Sequence, residues 1–182
     1  MDINLHNSYL FQALDAYPYS LEETLEALNY ALSYNSKDPQ ALCLMGRIYA
    51  EQLKDFETAK HYYAEAVAQA IDMPVTYPFY VHALVMNDDY NEAERLISFA
   101  LTVRGVDKGQ LKLLQGILFE KQGMFKRAIT SFTEAKSIAT SDAFITHVDG
   151  AISRVQKKAG AGSWKKKKKK RKKKGSETSE TK

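Results

Sequence analysis

Residues Gln110–Thr140 read QLKLLQGILFEKQGMFKRAITSFTEAKSIAT. Apolar side chains recur at helical spacing through Leu113, Leu114, Ile117 and Leu118, and the polar turn Lys121-Gln122-Gly123 follows. A second helical run continues through Phe125, Ala128, Ile129, Phe132 and Ala135. Gly116 and Ala128 are small where two helices must approach. Phe119, Phe125 and Phe132 are large where the space between helices must be filled. The stretch is therefore a helix hairpin.

The hairpin repeats. Phe56, Tyr90 and Phe125 are separated by steps of 34 and 35 residues, and Ala59, Ala93 and Ala128 keep the same steps. So do Tyr63, Ile97 and Phe132, and Ala66, Ala100 and Ala135. A further step of 35 backward reaches Leu21, Thr24, Leu28 and Ala31. Two units carry the fullest pattern: Leu42, Gly46, Tyr49, Phe56, Ala59, Tyr63 and Ala66, then Gly116, Phe119, Gly123, Phe125, Ala128, Phe132 and Ala135. In period and pattern these residues resemble the tetratricopeptide repeat (TPR) family over about residues 5–140. The resemblance implies an all-α, right-handed TPR-like solenoid of helix hairpins, and a role in binding peptides or other proteins.

Working outward, residues 2–16 read as a first helix ended by Pro18, and Ser20 with Glu23 reads as a capping box for the next. A second unit spans helices at about 40–53 and 55–70, with one extra residue placed in its internal turn near Leu53-Lys54. A third spans about 77–87 and 89–103, where Val81 stands in place of the expected small residue. The domain reading is four helix pairs over 1–140, the first divergent, then a capping helix over 141–158. That helix sets Phe144, Val148, Ile152 and Val155 on one face. Residues 159–182 read as a disordered linker and Lys-rich tail: AGAGS, Trp164, ten consecutive basic residues, then GSETSETK.

Composition limits the function. Residues 1–164 hold 15 Lys/Arg and 20 Asp/Glu, net −5; residues 165–182 hold 11 and 2, net +9. Cys43 is the single cysteine, so there is no internal disulfide framework. The N-terminus lacks a secretory pattern, and no run approaches the roughly 20 apolar residues that span a bilayer. The expected location is cytoplasmic, or nuclear in a nucleated cell. Motifs for a P-loop, a nucleophile elbow or a zinc protease are absent. His6, His61, His82 and His147 form no pair at helical metal-ligand spacing. No enzyme, cofactor or metal is expected.

Two candidate surfaces remain. By repeat position, the resemblance implies an inner groove that includes Tyr9, Cys43, Leu44, Arg47, Phe79, His82, Val85, Met86, Leu113, Ile117 and Lys121. It is apolar and aromatic, suited to a partner's extended segment or helix. Some TPR co-chaperones clamp an acidic chaperone tail through Lys, Asn and Arg. The matching positions here are Tyr9, Ala13, Leu44, Val75 and Phe79, which argues against that role. Small TPR chaperones of secretion or assembly systems have a more apolar groove, closer to this pattern. Exposed groove residues are also compatible with a homodimer.

The second surface is the polyanion-binding run Trp164, Lys165, Lys166, Lys167, Lys168, Lys169, Lys170, Arg171, Lys172, Lys173 and Lys174. Its candidate ligands are nucleic acid or ribosomes, and anionic membranes. Lysine rather than arginine implies charge attraction without base readout. The leading expectation is a non-catalytic adaptor with an apolar partner groove; the alternative is a factor tethered by its tail.

Overall fold

The structure is a computed structural model and describes residues 3–177, with side chains for residues 8–160. Nine α-helices, and no strand, are found among the described residues. They are α1 (Ile3–Ala16), α2 (Leu21–Tyr34), α3 (Pro39–Arg47), α4 (Phe56–Gln69), α5 (Thr76–Met86), α6 (Tyr90–Ala100), α7 (Lys108–Lys121), α8 (Phe125–Ser137) and α9 (Asp142–Glu177). A π-helical segment, Ile48–Leu53, continues α3. The chain divides into two compact units, Met1–Asp107 and Lys108–Lys182.

In unit 1, consecutive helices pack as hairpins, α1 on α2, α3 on α4 and α5 on α6, and α4 also packs on α5. The core is the column set read from the repeat. Ala59, Tyr63, Ala66, Ala93, Ile97 and Ala100 are all buried to 1% exposure or less. A small residue in each alanine column lets the paired helix approach, and the aromatic or branched column fills the gap. Gly46 marks the tightest approach: a Cβ there would lie 2.7 Å from Tyr63 Cε1. Val81, which breaks the small-residue pattern, is fully buried, and so is Ile97. Volume is redistributed across the two columns, Gly with Tyr in one repeat and Val with Ile in the next.

Local chemistry sets the helix starts. Asp38 Oδ1 accepts the N–H groups of Gln40 (2.9 Å) and Ala41 (2.8 Å), and Pro39 occupies the first helical position, where a missing N–H costs nothing. Asp55 caps α4 through the Thr58 N–H at 3.0 Å. The capping box expected at Ser20 does not form: its side chain makes no cap bond. Instead the Thr24 hydroxyl donates to the Ser20 carbonyl at 2.7 Å, because Thr24 sits in the buried alanine column, where its hydroxyl must find a partner.

The extra residue of the second unit is also placed differently from expectation. The hairpin turn keeps one left-handed residue at a fixed column: Lys54 (φ 57°), Asp88 (φ 64°) and Gly123 (φ 73°). Counted back from that column, Gly46 is 8 residues away, whereas Val81 and Gly116 are 7 away. The added residue therefore lies upstream, absorbed as the π segment Ile48–Leu53. A helix can widen one turn without shifting the buried columns on either side. A longer tight turn would displace α4.

In unit 2, α7 packs on α8 and α8 on α9. Gly116 meets Phe132 as Gly46 meets Tyr63, with a built Cβ only 2.4 Å from Phe132 Cδ1. On α9, Val148, Ala151 and Val155 are buried and Phe144 and Ile152 half-buried, so its apolar face is covered. α9 runs past the expected helix end near residue 158, across Gly160 and Gly162, which are poor helix formers, and on through the lysine run, whose residues favour a helix. The side chains of the lysine run lie outside the described residues.

Candidate functional site

Unit 1 contains a cleft of about 220 Å³ lined by Leu14 of α1, Gln40, Cys43, Leu44 and Arg47 of α3, and Met73, Val75 and Phe79 at and before α5. Successive helices lay their inner faces side by side here. Cys43 and Leu44 are nearly fully buried and form the floor. Burial pushes the Cys43 thiol pKa up, so it behaves as a small apolar group. Leu14 and Val75 are exposed (39% and 56%) and place apolar surface at the mouth.

The polar wall is Arg47. Its guanidinium carbon lies 4.7 Å from the Tyr17 ring centre and 4.6 Å from that of Phe79. Its Nε donates to Glu51 Oε1 at 3.2 Å, and the Tyr17 hydroxyl donates to Glu51 Oε2 at 2.5 Å. Burial first, then the Glu51 carboxylate, push the Tyr17 hydroxyl up to about 12, so it stays a donor. Glu51 belongs to the π segment. The widened turn thus carries the carboxylate that ties α3 to the end of α1. Two aromatic rings and one carboxylate hold the guanidinium, which is a preorganised donor rather than a mobile surface charge.

Four of the groove residues expected from sequence are brought together in the cleft: Cys43, Leu44, Arg47 and Phe79. The others are placed elsewhere. Tyr9 stacks on Tyr30 and Tyr34, with ring centres 5.0 and 6.1 Å apart. Val85 is fully buried and presents nothing to a partner. His82 is half-buried, edge-on to Phe56 at 6.2 Å, and Met86 is half-buried at the end of α5. Leu113 is buried, Ile117 half-buried and Lys121 exposed, all in unit 2. Reading by repeat column missed Leu14, Tyr17, Gln40 and Met73. Met73 precedes α5 in an irregular segment that has no repeat column. Tyr17 lies beside Pro18 in the first hairpin turn, and an aromatic residue next to the helix-ending proline is the signal that could have found it.

Residues 39–70, which are α3, the π segment and α4, match the family model of the tetratricopeptide repeat. This stretch is a tetratricopeptide repeat. Solved structures share the chain's fold. A thermophilic TPR protein of Thermus thermophilus superposes with a TM-score of 0.66 at 12% identity, covering 81% of each chain. PilW, a type IV pilus biogenesis factor, gives 0.67 at 14%, covering 86% of this chain and 77% of its own. MamA gives 0.65 at 15%, covering 92% and 95%. Comparison with curated proteins finds no matching sequence.

The two units differ sharply in charge. Residues 1–107 carry 6 Lys/Arg against 16 Asp/Glu, net −10. Residues 108–182 carry 20 against 6, net +14. The acidity of the chain thus belongs to the unit that holds the cleft. Among the described residues no helix is long and apolar enough to cross a membrane, and no three metal-ligating side chains gather.

Proposed function

We propose that this TPR protein is a non-catalytic interaction module whose unit 1 seats an apolar segment of a partner protein in the cleft between α1, α3 and α5. One observation supports the reading above the rest. The cleft sets exposed Leu14 and Val75 around an arginine already held in place by Tyr17, Phe79 and Glu51. A guest side chain would bury against Leu14, Val75 and Phe79. Beyond the Nε–H given to Glu51, the guanidinium has four further N–H donors, which under this reading meet main-chain carbonyls of the guest. The net charge of −10 on unit 1 selects guests flanked by Lys or Arg.

The test is selection from a displayed random-peptide library on the immobilised full chain and on Phe79→Asp. The native chain is expected to enrich peptides with one large apolar residue flanked by basic ones. Phe79→Asp should weaken the enriched peptides by about tenfold or more, since burying one large apolar side chain is worth about 1.5–3 kcal/mol, with helical circular dichroism unchanged. Equal binding by both proteins would remove the cleft from consideration.

A second reading is supported by the ten consecutive basic residues Lys165–Lys174, which suit a nonspecific polyanion tether. If about eight phosphates are engaged, log affinity for nucleic acid should fall with log salt at a slope of roughly −6 to −7. Removal of residues 164–182 should take away most of that slope.

A further inference from the structure

The charge of unit 2 is polarised within its folded part. Residues 108–160 carry 9 Lys/Arg and 4 Asp/Glu. At one end Lys112 pairs with Glu134 (2.7 Å) and Lys136 with Asp149 (2.8 Å). Lys108 and Asp142 complete a balanced set of three cations and three anions there. The remaining charges lie at the other end, where α7 turns into α8 and α9 passes beside it. Arg154 Nη2 and Lys158 Nζ reach Glu120 on α7 at 2.7 and 2.6 Å, and the Arg127 guanidinium lies 3.9 Å from the Phe119 ring centre. Arg154 and Lys158 close on Glu120, and Lys121, Lys126, Arg127 and Lys157 belong to the same α7–α8 turn and α9 segment, in which Glu120 is the single acidic residue. All six cations are exposed, whereas the Glu120 side chain is only 6% exposed. The whole +5 of the folded part therefore stands at the end from which the chain runs on to Lys165–Lys174.

We infer that the α7–α8 turn and residues 154–158 of α9 form a folded phosphate-binding surface that continues the lysine run, so that unit 2, and not the tail alone, holds a nucleic acid backbone. The inference rests on the tether reading above and adds the folded surface to it. Nucleic acid fits better than membrane. Stable anchoring at a membrane takes two signals, a polybasic patch and an inserted apolar element. The run offers one aromatic residue, Trp164, and no apolar helix face, and the exposed residues of α9 beside the patch, Arg154, Gln156, Lys157 and Lys158, are all polar. Phosphate neutralisation requires charge alone.

The experiment titrates oligouridine, chosen because its weak stacking isolates charge, into four full-length or near full-length proteins between about 50 and 200 mM salt. They are the native chain, the Lys121→Gln/Lys126→Gln/Lys157→Gln triple variant, a Lys136→Gln control at the balanced end, and a chain lacking residues 164–182. Arg154 and Lys158 stay intact because they hold Glu120, and Arg127 because it stacks on Phe119; circular dichroism with thermal melting verifies that each variant is folded. The triple variant is expected to show a slope shallower by about 2, at about 0.7 for each single-strand phosphate lost. Lys136→Gln should match the native chain. A native slope in the triple variant, with binding lost only on tail removal, would overturn the folded surface and leave the tether reading standing. No oligouridine binding by any protein, with charge-dependent binding to phosphatidylserine vesicles instead, would overturn both in favour of a membrane.

Discussion

Gly116→Ala is expected to destabilise unit 2 by roughly 3 kcal/mol, the upper part of the range for overpacking. At an open helical position the same change would stabilise by about 1 kcal/mol, because alanine loses less backbone freedom than glycine. The environment reverses the sign. The added Cβ would lie 2.4 Å from Phe132 Cδ1 and Cε1, and Phe132 is fully buried with nowhere to retreat. Urea denaturation should show a lower midpoint with an unchanged m-value. The third hairpin suggests the rescue. There Val81 and Ile97 fill the same two columns and both are fully buried. Gly116→Val combined with Phe132→Ile should recover stability relative to Gly116→Val alone, with a coupling of at least about 1 kcal/mol. Stabilisation by Gly116→Ala would show that the two helices do not meet there.

Glu120→Ala is expected to cost about 2 kcal/mol and to act on α9, a figure scaled down from the roughly 3–5 kcal/mol lost when a fully buried ion pair is broken. Glu120 accepts from Arg154 Nε (2.9 Å), Arg154 Nη2 (2.7 Å) and Lys158 Nζ (2.6 Å). The two cations are about half-exposed and rehydrate when the carboxylate is gone, so the lower figure applies. Hydrogen exchange should report lost protection in α9 around residues 148–158 before α7 and α8 open. The pH dependence has a definite sign. The Arg154 hydrogen bond, with Lys158, holds the Glu120 carboxyl below its ordinary value despite burial. A depressed carboxylate contributes its full stability above the unfolded-state value and loses it as pH falls through the folded one. The gap between native and Glu120→Gln proteins should therefore be constant at neutral pH and close in the acid range. A gap independent of pH would mean that the charge is not what holds α9.

Much of this molecule was legible in the chain because the repeat is written in residue size. Alanine at 59, 93 and 128 and a large partner at 63, 97 and 132 are readable without coordinates, and all six are buried to 1% or less. The capping face of α9 was readable for the same reason, since Val148 and Val155 sit one helical period apart from their apolar neighbours. The cleft was half-legible. Cys43, Leu44, Arg47 and Phe79 follow from repeat position, but Leu14, Gln40 and Met73 reach the same space from elements that do not share that column. Val85 shows the opposite failure. It falls where repeat position expects a groove residue, yet it is fully buried.

The sequence by itself determined the helical period, the turn at Lys121-Gln122-Gly123 and the buried small–large pairs, because each follows from residue size and type at fixed spacing. Only the tertiary structure decided where the extra residue of the second hairpin went, since a π turn and a longer loop have the same residue count in the sequence. It alone decided that Arg47 stands between Tyr17 and Phe79, from three different helices or turns, and that Glu120 meets Arg154 and Lys158 across 34 and 38 residues of chain. Such contacts depend on side-chain reach between separate elements, and no local spacing in the sequence encodes it.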